Sequence, residues 1–304
     1  MTADESTAPL AERITERLAG LSPAERKVAE FLRNQATEIL FASAGEIGEL
    51  TGTSDATVVR TAKALGYSGL PELKRQISRQ VGKTVRPALR LRNRIEHAGD
   101  SAALIDRVFT EAAERVTETH RMTDPAAFSK AVDLLAGARE VFVFGIGLSG
   151  VIANYLAMRL VRLGRAARST DHTGFRLADE LLPLRAGDAM VIYSSGRLTT
   201  DIEVLLWRAN EVGARTILVT DSLGPVLGDR VDVWLAAAHS PSGFTGEALS
   251  ATIVTDALLL AVAARDDAAA TATSDQLTGI RRELLGHNPD LFVPKRGNRR
   301  RRKE

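Results

Sequence analysis

VFVFGIGLSGVIA, residues Val141–Ala153, is the stretch whose reading decides the fold. A short apolar run ends in a glycine- and serine-rich turn, and the helical pattern NYLAMRLVRLG follows at once. A buried strand that turns into a helix leaves unpaired backbone N–H groups and the positive end of a helix dipole at the turn. That is a site for an anion. The same order recurs at Ala189–Asp201, AMVIYSSGRLTTD, where a second apolar run ends in a second hydroxyl-rich loop. One such loop alone is read as serine capping a helix. Two at equivalent strand ends point to a small phosphorylated ligand.

Outward from these loops, strand-like runs are predicted at Val141–Phe144, Ala166–Ser169, Ala189–Tyr193, Thr216–Val219 and Val231–Ala236. Helical patterns separate most of them, at Gly150–Leu163, Ile202–Val212 and Glu247–Ala264. Alternating strands and helices imply a three-layer α/β unit with a parallel sheet, and ligands in such sheets bind beyond the carboxyl ends of the strands. Ahead of the sheet, two more helices are expected between Leu104 and Ala138, broken at Thr123-Asp-Pro125.

The 304 residues allow two domains, and the composition, 44% hydrophobic and 26% charged, is that of a globular protein. The absence of cysteine excludes disulfides, thiolate metal sites and thiol catalysis. No apolar run approaches the roughly 20 residues of a membrane span, and MTADESTAPLAERITERLAG lacks the apolar core of a signal peptide. A cytoplasmic location without a membrane partner is expected. Charge is uneven: from Arg60 to Arg94 ten basic residues face one acid, Glu72, a local net of +9 against +2 for the whole chain. That balance suits a polyanionic partner, and equally a solvated basic linker.

The N-terminal third reads as a small all-α domain. Ser22-Pro-Ala-Glu25 and Ser43-Ala-Gly-Glu46 are capping boxes, with Ala44, Ile47 and Leu50 at helical spacing behind the second. Thr51-Gly-Thr-Ser54 then supplies a tight turn and an N-cap for a third helix, DATVVRTAKALG. Its spacing predicts Val58, Ala62 and Leu65 inward, with Thr57, Arg60, Thr61 and Ala64 outward. Two short helices joined by a glycine turn describe a helix-turn-helix. Its second helix would read the DNA major groove through Ser54, Thr57, Arg60 and Thr61, with Lys63 on phosphate. A fourth helix should bury Leu70, Leu73 and Ile77 and expose Lys74, Arg75 and Arg79. The domain reading is 1–80 helix-turn-helix, 81–104 basic linker, 105–285 α/β unit and 286–304 basic tail.

Three chemistries compete for the loops. Gly145, Gly147 and Gly150 fit G-x-G-x-x-G, and Asp171 follows the second strand, so a dinucleotide-sensing repressor is one alternative. It leaves Ser194, Ser195, Gly196, Thr199 and Thr200 unexplained. A phosphosugar site uses both loops, with Ser149, Ser194, Ser195 and Thr199 as donors beside backbone N–H groups. A phosphosugar isomerase would further need a proton-transfer base. His172, Glu180, His239 and Glu247 are the candidates, and no spacing assembles them. There is no P-loop lysine, so nucleoside triphosphate hydrolysis is not expected, and no metal-ligand spacing, so no metal is. Binding donors without an assembled base read as a sensor with no catalytic residue and no cofactor.

GIGLSGVIA resembles the GxGxSxxxA signature of the SIS (sugar isomerase) fold, and YSSGRLTTD resembles its second signature, SxSGxTx(D/E). Residues 22–80, notably TSDATVVRTAKALGYSGLPELK, are similar to the N-terminal helix-turn-helix of the RpiR family of bacterial transcription regulators. The resemblance spans roughly 22–265. It implies a DNA-binding regulator, not an enzyme, that acts as a homodimer or homotetramer on palindromic double-stranded operator DNA and answers to a sugar phosphate effector. It also implies that Gly147 and Ser149 belong to the first ligand loop, and Ser194, Ser195, Gly196, Thr199 and Asp201 to the second. Two departures stand out. Tyr193 replaces the first serine of SxSG, and one extra residue at Arg197-Leu198 separates Gly196 from Thr199.

Overall fold

Helix caps fix the beginning of the chain's structure. In the computed structural model, which describes residues 10–35, 39, 42–81, 92, 95, 100–238 and 248–284, Ser22 and Ser43 accept the N–H groups of Glu25 and Glu46. Both glutamates accept the serine N–H in return. These boxes open α2 (Pro23–Asn34) and α3 (Ala44–Thr51), which follow α1 (Leu10–Arg17). Gly52, at φ 64°, ends α3 in the left-handed conformation. Ser54 then caps α4 (Asp55–Ala64) by accepting from Thr57 N, and α5 (Leu70–Val81) completes the unit. Ile14, Val28, Leu32, Ile47, Val58 and Leu65 fill a core of its own. Leu50, at helical spacing from Ile47, is nonetheless 63% exposed, because this short helix turns its Ile47 side to the core.

The α/β unit begins with α6 (Ser101–Met122) and α7 (Pro125–Gly137), broken at Thr123 and Asp124 as predicted. β1 (Val141–Gly145), α8 (Leu148–Arg162), β2 (Ala167–Thr170), α9 (Phe175–Leu181), β3 (Ala189–Ser194) and α10 (Thr200–Val212) alternate in sequence. After them come β4 (Arg215–Thr220), the single turn α11 (Gly224–Leu227), β5 (Val233–Ala236), α12 (Leu249–Arg265) and α13 (Asp267–Leu284). All strand pairs are parallel and the order is β2-β1-β3-β4-β5. Side chains alternate between the two faces. Val143, Val191 and Val219 pack with α7, α8 and α12; Phe144, Ile192 and Leu218 pack with α9, α10 and α11. Three layers result. Among the described residues no helix is long and apolar enough to cross a membrane.

Three expectations change. Lys74 and Arg75 are buried, not outward, because α5 docks against α6 and Arg75 forms ion pairs there. The last strand starts at Val233, not Val231, because Asp232 bonds through its side chain. Its carboxylate accepts from Thr216 N at 2.8 Å, and its N–H donates to Thr216 Oγ1 at 3.0 Å. The helix α13 lies beyond the last pattern read from sequence. The basic stretch 82–99, apart from Arg92 and Ile95, and the tail 285–304 lie outside the described residues.

Burial alone would push the Asp232 carboxyl up, but the bonds from Thr216 and Arg215 outweigh it and hold the group below its ordinary range. Its stabilising contribution is therefore present above the ordinary carboxylate range and lost as pH falls through the lowered value. Asp232→Asn should lower stability by about 1 kcal/mol near neutrality and shrink the loss on acidification, measured by urea denaturation at several pH values.

Candidate functional site

β1 lies between β2 and β3, so the connection leaving β1 goes to one side of the sheet and the one returning to β3 goes to the other. Loops diverge at such a switch point and leave a crevice at the strand ends. Backbone crowding dictates the first loop. A Cβ on Gly145 would overlap Ser149 O, and one on Gly150 would lie 2.8 Å from Gly145 O. Gly147, at φ 61°, starts α8 without a side-chain cap. On the second loop a Cβ on Gly196 would overlap Ser222 Oγ.

A cavity of about 190 Å³ occupies the crevice. Ser149, Ser194 and Ser195 line it from the β1 and β3 loops, Thr220 and Asp221 from the end of β4, and Ile152, Tyr193 and Val219 supply apolar wall. Three of the seven ligand residues named from sequence therefore meet there. Gly147, Gly196, Thr199 and Asp201 do not line it. Thr199 caps α10 by accepting from Ile202 N, and Asp201 Oδ1 accepts from Gly174 N at 3.1 Å, tying α10 to the start of α9. Asp221 was not named from sequence; its only signal was its place at the end of an apolar strand.

Tyr193 sits deep in the fold. Its hydroxyl lies 2.6 Å from Thr255 Oγ1 on α12, and since Thr255 donates to Ala251 O, the phenol is the donor. Burial pushes this phenol far above its ordinary range, so it stays neutral. The ring forms wall and its polar end is committed to α12. The extra loop residue is accommodated outside the cavity: Ser194 Oγ donates to Arg197 O at 3.2 Å, while Arg197 and Leu198 are exposed. His172 Nδ1 lies 3.3 Å from Glu180 Oε1, and neither lines the cavity. His239 and Glu247 lie outside the described residues.

In the helical unit, the outward face of α4 is narrower than its periodicity suggests. Thr57 is 6% exposed and Thr61 0%. Both hydroxyls are engaged locally: Thr57 Oγ1 lies 2.9 Å from Ser54 Oγ and accepts from Arg60 Nη2 at 3.1 Å, and Thr61 Oγ1 donates to Thr57 O. Ser54, Arg60, Lys63 and Ala64 are exposed. Thr57 thus braces the two exposed side chains Ser54 and Arg60. The α3–α4 contact is set by Gly48, another residue the sequence reading missed. A Cβ there would meet Thr53 O at 2.9 Å and Asp55 N at 3.2 Å, and Thr53 N donates to Gly48 O.

Residues 8–84 match the family model described as "Helix-turn-helix domain, rpiR family", and residues 134–261 match the SIS domain. The chain belongs to the rpiR family. This rpiR-family chain is 28% identical over 263 residues to the uncharacterized HTH-type transcriptional regulator YbbH of Bacillus subtilis, covering 84% of this chain and 91% of that protein. It is 27% identical over 223 residues to the HTH-type transcriptional regulator HexR of Pseudomonas aeruginosa, covering 71% and 75%. The sugar isomerase domain of an RpiR transcription factor from Sphaerobacter thermophilus superposes with a TM-score of 0.54 at 30% identity, covering 58% of this chain and 98% of that one. The Vibrio vulnificus NanR protein, solved in complex with ManNAc-6P, superposes with a TM-score of 0.56 at 21% identity, covering 92% and 100%, and shares the fold.

Gly48→Val should force α3 and α4 apart. We expect a loss of about 2 kcal/mol by thermal denaturation, together with loss of any specific duplex binding by the full chain.

Proposed function

We propose that this chain is a transcriptional regulator that binds double-stranded operator DNA through α3 and α4 and modulates that binding when its SIS unit takes up a phosphorylated sugar. The observation that carries this is the pairing, in one chain, of an exposed Arg60–Lys63 helix face with a three-serine cavity at the sheet's switch point. Hydroxyls and helix-start N–H groups suit a phosphate monoester. Relatives bearing the name of transcriptional regulator support the same reading, as does a fold shared with a protein solved with a sugar phosphate.

A cavity of about 190 Å³ is small for a dinucleotide, since pockets for drug-sized ligands run to roughly 300–1,000 Å³. The strand order also differs from the 3-2-1-4-5-6 order of dinucleotide-binding sheets. An isomerase would need a base at the ligand; of the described candidates His172 and Glu180 lie beside each other away from the cavity, and the Asp221 carboxylate on the cavity wall faces Arg75. The chain is read as a sensor, not an enzyme. Ser149, Ser194 and Ser195 hold the phosphate, with Gly147, Gly196, Thr199 and Asp201 shaping the loops around it. The units are 1–80, a linker 81–104, 105–285 and a basic tail 286–304, with α5 ending at Val81 and α6 starting at Ser101 just inside the linker bounds, assembled as a homodimer or homotetramer.

Two variants separate the functions. Arg60→Ala should weaken binding to an operator selected from a random duplex library by about tenfold or more, the worth of a bidentate base contact, and leave ligand binding unchanged. Ser149→Ala with Ser195→Ala should abolish stabilisation by a panel of sugar phosphates in thermal-shift assays and leave operator affinity unchanged. Stabilisation by NADH and by no sugar phosphate would overturn the reading.

A further inference from the structure

Arg75 belongs by sequence to the helix-turn-helix unit, within the matched range 8–84, yet its partners lie in the SIS half of the chain. Its Nη1 is 3.0 Å from Glu118 Oε1 on α6, and its Nε is 3.7 Å from Asp221 Oδ1. All three residues are buried. Asp221 directly follows β4 and lines the cavity. A line of charge therefore runs from the cavity wall into the last helix of the DNA-binding unit. A second link runs beside it: Thr119 Oγ1 on α6 accepts from Ala238 N at 3.2 Å, next to cavity-lining Ala237.

Asp221 stands in a site otherwise made for an anion. A carboxylate repels a phosphate but accepts hydrogen bonds from hydroxyls, so this wall suits the carbohydrate end of a ligand whose phosphate lies at the serines. The Arg75–Asp221 separation of 3.7 Å is an ion pair longer than a hydrogen bond, so a ligand hydroxyl can compete for the carboxylate at closer range. Arg75 keeps Glu118 at 3.0 Å when Asp221 turns away, so its buried charge is not left without a counter-ion.

We propose that Asp221 reads a hydroxyl of the carbohydrate moiety and in doing so loosens the Arg75 contact, so that the seam between α5 and α6 reports the sugar and not the phosphate. This rests on the reading of the cavity as a sugar phosphate site. A ligand shifts the seam only as far as its affinity differs between the two arrangements, and Asp221 supplies that difference.

Hydrogen exchange of residues 70–77 and 115–122 in the full chain tests it, with melting temperature monitoring binding. The probes are inorganic phosphate and a panel of hexose, hexosamine and pentose phosphates. Sugar phosphates that raise the melting temperature should speed seam exchange by about fivefold or more, while inorganic phosphate should not. Asp221→Asn should lose this response. Arg75→Lys, which keeps the charge but shortens the reach, should bind the same sugar phosphates with a seam already fast in their absence. Seam exchange that ignores a bound sugar phosphate overturns the inference and leaves the sensor reading standing. So does an Asp221→Asn chain responding like wild type, or an Arg75→Lys seam as slow as wild type. If no sugar phosphate stabilises the wild-type chain, the sensor reading falls and this inference with it.

Discussion

Parallel pairing of β1 with β3, from Val141↔Ala189 to Gly145↔Tyr193, is the constraint on which the cavity depends. It brings two loops distant in sequence to the same end of the sheet and sets them one strand spacing apart. Because β2 and β3 flank β1 on opposite sides, the connections part above the sheet and leave room between them. The glycines follow from this. Gly145 and Gly150 let α8 begin close against its strand, and Gly196 lets the β3 loop approach the β4 loop at Ser222. Alternation along β3 does the rest, sending the Tyr193 ring to the α12 side of the sheet, where its hydroxyl finds Thr255.

Much of this was legible because it is local. Both capping boxes, the Ser54 cap and the break before Pro125 are written in a few adjacent residues, and the five apolar runs are strands within one or two residues of their expected ends. What was not legible depends on contacts made across the fold. Lys74 and Arg75 look solvated on a helix considered alone and become buried only when α6 docks against it. Thr57 and Thr61 look like readers of bases because periodicity counts faces, not depth. Their hydroxyls close locally onto Ser54, Arg60 and backbone. Asp221 carried no motif, and its position on the cavity wall follows from the strand order. Gly48 did carry a signal. A glycine inside a short helix costs about 1 kcal/mol relative to alanine, and an unexplained cost of that size asks for a close contact.

The two halves differ in how they are held. Each unit closes on aliphatic and aromatic side chains, whereas the contacts linking α5 to α6 and to Asp221 include buried ion pairs and an Arg75–Met122 sulfur contact. Arg107 with Glu46 and Arg121 with Glu72 extend the same polar character along α6. Apolar cores resist partial separation because every exposed surface is penalised, while half-exposed ion pairs such as Arg121–Glu72 can exchange protein partners for water at small net cost. Rigid units joined by such a seam are the arrangement expected of a molecule that moves as parts.

Gly48 has a consequence for how α4 can vary. With no room for a side chain between α3 and the turn, the angle at which α4 is presented is held by main-chain atoms common to any sequence that keeps the glycine. Lys63 and Ala64 are exposed and bear no part of that angle. Exposed letters on α4 can therefore change without altering the angle at which that helix is presented, which separates what the proposed DNA-facing surface reads from how it is held.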